Sequence, residues 1–208
     1  MASTPSSASD QETERQSQSN PVTLPDITSY YTLFPSSVPH GPPPTGPFHI
    51  HTPDLRREFL RLQSLHHPDK YTSSPVAQQK ARALSALINA AYKTLSDPLL
   101  RAQYLLAHRY NVDIATEDNS THQIDQETLI EVMDVQESIE EAETHEQIDL
   151  LKEDNRRRIQ ETEEKMAKAF ENDDVETAKN ECVRLKFWQS LQQGLDEWEP
   201  GKEVRLIH

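Results

Sequence analysis

Two prolines, Pro68 and Pro98, each close a stretch in which apolar residues recur at helical spacing. This punctuation constrains the fold more than any other feature of the chain. Proline disfavours helical geometry at the residue before it, so one helix must stop by His67 and another at Asp97. The first stretch opens at Thr52-Pro53, where Thr suits an N-cap and Pro the first helical position. Leu55, Phe59 and Leu62 form its apolar stripe. Residues 68–75 form a loop, and a second helix is predicted from about Val76 to Leu95, with Leu84, Ile88, Ala91 and Leu95 as its stripe. A shorter helix, Leu99 to Tyr110, follows. The pattern is a helical hairpin. Only 4 glycines stand against 14 prolines, too few for the turns of a β-sandwich or barrel, so the chain is expected to be all-α.

Flanking segments read differently. Residues 1–28 are rich in Ser, Thr, Gln and Pro and lack the apolar groups needed to offset ordering entropy, which predicts disorder. The patch Tyr30-Tyr31-Thr32-Leu33-Phe34 precedes a Pro-rich, linker-like stretch over 35–47. The expected organisation is a first module over 29–110, a polar linker over 111–125, a three-helix bundle over 126–199 and a tail over 200–208. The bundle helices are predicted at 126–143, 145–171 and 174–198, the second with a capping-box pattern at Thr144 and Gln147 and the third with Asp173 and Glu176 placed similarly. Short connections imply antiparallel neighbours.

The formal charge of −14 is unevenly spread. Residues 1–47 carry a net −3, residues 48–110 a net +5 and residues 111–208 a net −16. The basic middle module suits an acidic partner. It has no long Lys/Arg run and no interleaved aromatics, so a protein surface fits better than nucleic acid. No apolar run approaches the roughly 18 residues that span a bilayer. A single cysteine, Cys182, excludes an internal disulfide and a Cys-based zinc site. Cys182 falls on the core stripe of the last helix and reads as a packed small residue. No phosphate-binding Gly loop, Ser/His/Asp order or metal cluster points to an enzyme.

The chemistry sits in His67-Pro68-Asp69-Lys70 between the hairpin helices. Pro68 stiffens the bend, His67 and Asp69 offer a donor and an acceptor at fixed positions, and Arg56, Arg57 and Arg61 line the preceding helix. Taken alone, the tripeptide is equally a simple turn. A metal site from His66, His67 and Asp69 is disfavoured, because adjacent residues at a helix end seldom point at one ion.

His67-Pro68-Asp69-Lys70, together with Leu87 to Pro98 (LINAAYKTLSDP), Arg101 and Tyr104, resembles the J-domain family. The segment Asp97 to Leu106 and the three following helices resemble the HscB-type (fungal Jac-type) co-chaperones of iron–sulfur cluster biogenesis, over about residues 28–198. The resemblance implies a J-domain hairpin followed by a C-terminal bundle, with no cofactor and no catalysis of its own. It implies that His67, Pro68, Asp69, Lys70, Arg56, Arg57 and Arg61 engage a seventy-kilodalton heat-shock chaperone and stimulate its ATPase. It further implies that the bundle binds an IscU-type scaffold, and that the protein works in the mitochondrial matrix. The first residues are not Arg-rich as a matrix address should be, since Asp10, Glu12 and Glu14 outnumber Arg15. A general J-protein delivering unfolded clients is the second reading.

The bundle can also be read directly. Val132, Val135, Ile139 and Ala142 form a core stripe, with Leu129 and Met133 on its shoulder and Ile130 farther round. On the last helix Ala178, Cys182, Leu185 and Trp188 cluster, and Phe187 projects nearly opposite. Leu129, Met133 and Phe187 are therefore apolar where the core does not need them, and by the resemblance they match the scaffold-binding positions. Glu131, Asp134, Glu137 and Glu141 would set orientation. Packing against another helix is the alternative for each. Arg156-Arg157-Arg158 reads as a solvated face.

Overall fold

The computed structural model describes residues 25–71, 74–114 and 125–200. The disorder expected over 1–28 lies outside the described residues except at 25–28, as do most of the polar linker and the tail beyond Pro200. Those described fold into six α-helices and one 3₁₀ turn, and no strand occurs among them. The helices are α1 (Thr52–Leu65), α2 (Pro75–Ser96), α3 (Pro98–Tyr110), α4 (Gln126–Glu140), α5 (His145–Glu171) and α6 (Val175–Glu197). The all-α expectation holds.

Local chemistry accounts for most helix ends. Ser74 caps α2 by accepting from the Ala77 amide, and Asp97 caps α3 by accepting from that of Leu100. The predicted capping box at Thr144 and Gln147 is formed in full. The caps of two helices differ by a residue from expectation. α1 begins at Thr52, so His51 is its cap, and the His51 ring pairs at 2.7 Å with Asp54 in the first turn. α6 is capped by Asp174, which accepts from the Thr177 amide, while Asp173 adopts left-handed geometry with φ 58°. Asp and Asn tolerate that region better than most residues.

α1 and α2 run antiparallel. Phe59 stacks on Tyr92 with ring centroids 4.2 Å apart, and one turn further along α1 Gln63 bonds Ser85. The Pro-rich stretch 35–47 is not a loose linker. Phe34, Val38 and Phe48 are buried, Glu58 of α1 accepts from the Ser36 and Ser37 amides and the Ser37 hydroxyl, and Arg109 donates to the Pro43 carbonyl. Buried apolar anchors and satisfied backbone groups hold a segment that has no ladder of its own.

Two cores form. The first joins the hairpin to the later helices. Leu55, Leu62, Ile88, Leu95 and Leu106 share one cluster with Met166 and Phe170 of α5 and with Ala178, Cys182 and Leu185 of α6. Phe48 stacks on Phe170 at 5.1 Å, and the Arg101 guanidinium lies 5.0 Å from the Phe48 ring. The second core unites Val132, Val135 and Ile139 of α4 with Ile148, Trp188, Leu191 and Leu195. The apolar stripe expected along α6 is therefore divided: its first half faces the hairpin and Trp188 faces α4. Burial pushes the Cys182 thiol up to about 12, so it is an inert core residue. Arg158 departs from the solvated face expected of its triplet. Its guanidinium lies 5.7 Å from the Trp188 ring, because a long apolar stem lets arginine cover aromatic surface.

Asp125 ties α4 to α6. It accepts from the amide and hydroxyl of Thr128 and from Arg184. The Thr128 hydroxyl bond is the strongest influence, and with Arg184 it holds the carboxyl at about 2 against the ordinary 3.8. A carboxyl depressed on folding contributes stability above its unfolded pKa and loses it as pH falls towards the folded value. Thermal melts between about pH 4 and pH 2 should show an acid-side decline that Asp125→Asn makes shallower; equal slopes would contradict this.

Candidate functional site

The signature tip is built by the abrupt end of α1 and the start of α2. The His66 amide closes α1 on the Leu62 carbonyl, and Pro68–Tyr71 make a single 3₁₀ turn. His66 turns inward and is buried, whereas His67 turns outward. The Asp69 amide donates to His67 Nδ1 at 3.3 Å and the Lys70 amide to the His67 carbonyl at 3.1 Å. Nδ1 is thus the ring nitrogen engaged within the turn, by the Asp69 amide and close to the Asp69 carboxylate. The side chains of His67 and Asp69 are 53% and 83% exposed, with Nδ1 3.4 Å from Asp69 Oδ2. The tip thus offers an imidazole, a carboxylate acceptor and the exposed Lys70.

The basic residues of α1 continue this face. Arg56, Arg57 and Arg61 are all exposed. Arg57 pairs with Asp54, and Arg61 reaches Glu58 at 3.4 Å. The exposed Arg57–Asp54 pair contributes little to stability, and Arg61 reaches the buried Glu58 from the surface, so both guanidinium groups remain accessible to a partner. Sequence reading missed Leu60, which is exposed between the arginines. It lies off the stripe set by Leu55, Phe59 and Leu62, and that angular offset was the signal available.

His66, His67 and Asp69 do not form a metal-holding group, and one imidazole is buried while the other is exposed. Among the described residues no group of three or more His, Cys, Asp or Glu side chains is arranged to hold a metal, and no helix is long and apolar enough to cross a membrane.

Leu129 and Met133 lie on the outer face of α4, exposed as expected, and Ile130 is exposed beside them. Asp134, Glu137 and Glu141 are exposed on the same helix and its C-cap. Phe187 differs from expectation. It is half-buried and packs against the second core rather than projecting away from it. α5 and α4 both grip α6, so its buried arc is wider than one stripe. The Arg184 to Thr128 bond, 2.8 Å, fixes the register of α6 against α4 one turn before Phe187. The two sets of candidate residues therefore occupy separate faces: the tip with α1, and the outer side of α4 with the edge of α6.

Comparison with known proteins supplies the context for this arrangement. A family model described as the HSCB C-terminal oligomerisation domain matches residues 124–196. The mitochondrial J-type co-chaperone JAC1 of Saccharomyces cerevisiae is 33% identical over 186 residues, covering 87% of this chain and 94% of that protein. The human iron–sulfur cluster co-chaperone protein HscB is 29% identical over 147 residues, 70% of this chain and 61% of that one. Among solved structures, human HscB superposes with a TM-score of 0.73 at 26% identity, over 92% of this chain and 93% of that chain. The Jac1 structure from Saccharomyces cerevisiae gives 0.69 at 29% identity, over 84% and 98%.

Proposed function

This chain belongs to the HscB/Jac1 family of J-type co-chaperones, and from that premise we propose that it links an IscU-type iron–sulfur scaffold to a seventy-kilodalton heat-shock chaperone. The bend at His67-Pro68-Asp69, with Lys70 beside it, contacts the chaperone and favours its ATP-hydrolysing state. Arg56, Arg57 and Arg61 orient the approach through attraction to an acidic surface. Leu129, Met133 and Phe187 dock the scaffold, and Asp134, Glu137 and Glu141 steer it. Holding both partners on one chain raises the effective concentration of scaffold at the chaperone, so delivery needs no chemistry from this protein. The site of action is the mitochondrial matrix, in keeping with relatives named mitochondrial.

The observation that carries this reading is the outward presentation of His67 and Asp69 next to an inward His66. A turn serving only to reverse the chain has no need to hold an imidazole and a carboxylate out at its tip.

Binding of the purified scaffold, followed by calorimetry, tests the bundle's part. The exposed pair Leu129→Ala/Met133→Ala should weaken it at least about tenfold, about 1.4 kcal/mol. Phe187→Ala should add to the loss. Stimulation of the chaperone without scaffold should persist in the pair variant. Unchanged affinity would refute the patch, and capture of many unfolded chains in place of one scaffold would favour general client delivery.

A further inference from the structure

A single guanidinium on α6 serves acceptors on two helices. Arg184 Nε donates to the Thr128 hydroxyl at 2.8 Å and Nη2 to Asp125 at 3.0 Å, both at the start of α4. Its Nη1 donates to Glu181, one turn back on α6 itself, at 3.3 Å. Two carboxylates thus share one positive charge. Glu181 is buried, and its Oε2 has no hydrogen-bond partner among the described residues. Buried polar atoms are nearly always paired, so an orphan oxygen marks an acid that its surroundings satisfy only in part. Burial pushes the Glu181 carboxyl above its ordinary 4.5, and the negative charge of Asp125 acts the same way. Arg184, and Lys165 on α5, pull against them. This clamp lies at the seam of the docking surface proposed above: Leu129 directly follows Thr128, and Phe187 stands one turn beyond Arg184.

We infer that Arg184 is a positioning residue for scaffold docking, holding the first turn of α4 against α6, and that Glu181 loosens this hold when it is ionised. The inference rests on the docking surface proposed above and adds the device that aligns its two halves. With Glu181 protonated, the guanidinium is left to Asp125 and Thr128, and α4 is drawn onto α6. With Glu181 ionised, Nη1 is drawn back along α6 and the seam carries an unmatched negative charge. Burial keeps water and salt from screening this competition as they would at the surface. Arginine suits the task better than lysine, because its rigid fork reaches three acceptors at once. The sign follows from linkage. A carboxyl raised on folding favours the native arrangement below its pKa and opposes it as pH rises through that value. Asp125, held at about 2, stays ionised in the range where Glu181 changes charge.

The test is calorimetric binding of the purified scaffold to the full chain, from about pH 8 down to about pH 5. One scaffold preparation serves every variant, so its own titration cancels in the ratio of affinities. Glu181→Gln keeps a neutral acceptor for Arg184 and removes the charge. It should bind at least about threefold more tightly than the parent at the high end, with the ratio closing towards one at the low end. Arg184→Lys, which keeps the charge without the fork, should bind at least about threefold more weakly than the parent. In the Arg184→Lys background Glu181→Gln should give a smaller gain, since the two residues act on one contact. Amide exchange at Leu129, compared at one pH, should be slower in Glu181→Gln than in the parent. Glu176→Gln makes the same charge change at an exposed position of α6 and should leave affinity unaltered. A Glu181→Gln ratio that is one throughout, or that does not vary with pH, would overturn the inference. So would equal exchange at Leu129, or an equal gain in Glu176→Gln, which would assign the effect to net charge. Leu129→Ala/Met133→Ala is run alongside. If that pair keeps parental affinity, the docking surface fails and this inference goes with it; if the pair weakens binding while the Glu181→Gln ratio stays at one, only this inference falls.

Discussion

Asp69→Ala is expected to lower stimulation of the chaperone's ATPase by about one to two orders of magnitude, the loss that follows from deleting a charge-assisted hydrogen bond of roughly 1.5–3 kcal/mol. The effect should be confined to function. The carboxylate is 83% exposed and lies 3.4 Å from His67 Nδ1. Exposed substitutions away from packing change stability by no more than about 0.5 kcal/mol, so the melting temperature should stay within about 2 °C of the parent. Single-turnover hydrolysis with excess co-chaperone gives the rate, and circular dichroism confirms the fold. Asp69→Asn is informative beside it, since it keeps an acceptor and removes the charge. Retained stimulation in Asp69→Ala would remove the tip from the mechanism.

The largest structural effect is expected at Arg101. Its guanidinium donates to the Leu95 carbonyl at 2.9 Å and to the Phe48 carbonyl at 2.7 Å, and it lies against the Phe48 ring. Burial pulls its pKa below the ordinary range, while Tyr31, Glu163 and Asp97 act the other way. Burial likewise raises the pKa of the half-buried Glu163 carboxyl, opposed by His49 and Arg101. Arg101→Ala leaves two buried carbonyls unpaired and a void beneath Phe48. Each buried acceptor left without its donor costs about 1–3 kcal/mol, so with the void beside Phe48 the loss is about 3–5 kcal/mol. For a chain of this size that lowers the melting temperature by roughly 6–20 °C. Limited proteolysis should then open the stretch around Phe48 first. An unaltered melting curve would mean that Phe48 and Phe170 hold the first core together without Arg101.

How far the sequence disclosed this architecture depended on the reach of each interaction. The box at Thr144 and Gln147 spans three residues and was readable as written. The same is true of Pro68, whose effect falls on its immediate neighbour. The cap of α6 was misplaced by one, because Asp173 and Asp174 are adjacent and only the left-handed φ of Asp173 distinguishes them. The packing of residues 35–47 was not readable, since its partners Glu58 and Arg109 lie on helices far along the chain. Phe187 was misjudged because a helical wheel sees one face, whereas α4 and α5 press on α6 from two directions. The tip was legible as a motif, but the inward turn of His66 depends on tertiary packing that no local pattern records. Arg101 fitted a family pattern, yet nothing local distinguished a buried arginine from a surface one.

The merged core has a mechanical implication. Because Phe170, Cys182 and Leu185 interleave with side chains of the hairpin, and α6 in turn packs on α4, the proposed motor-facing turn and the proposed cargo-bearing helix would be parts of a single stiff lever. Cargo would arrive at a fixed bearing and stand-off, rather than swinging on a tether.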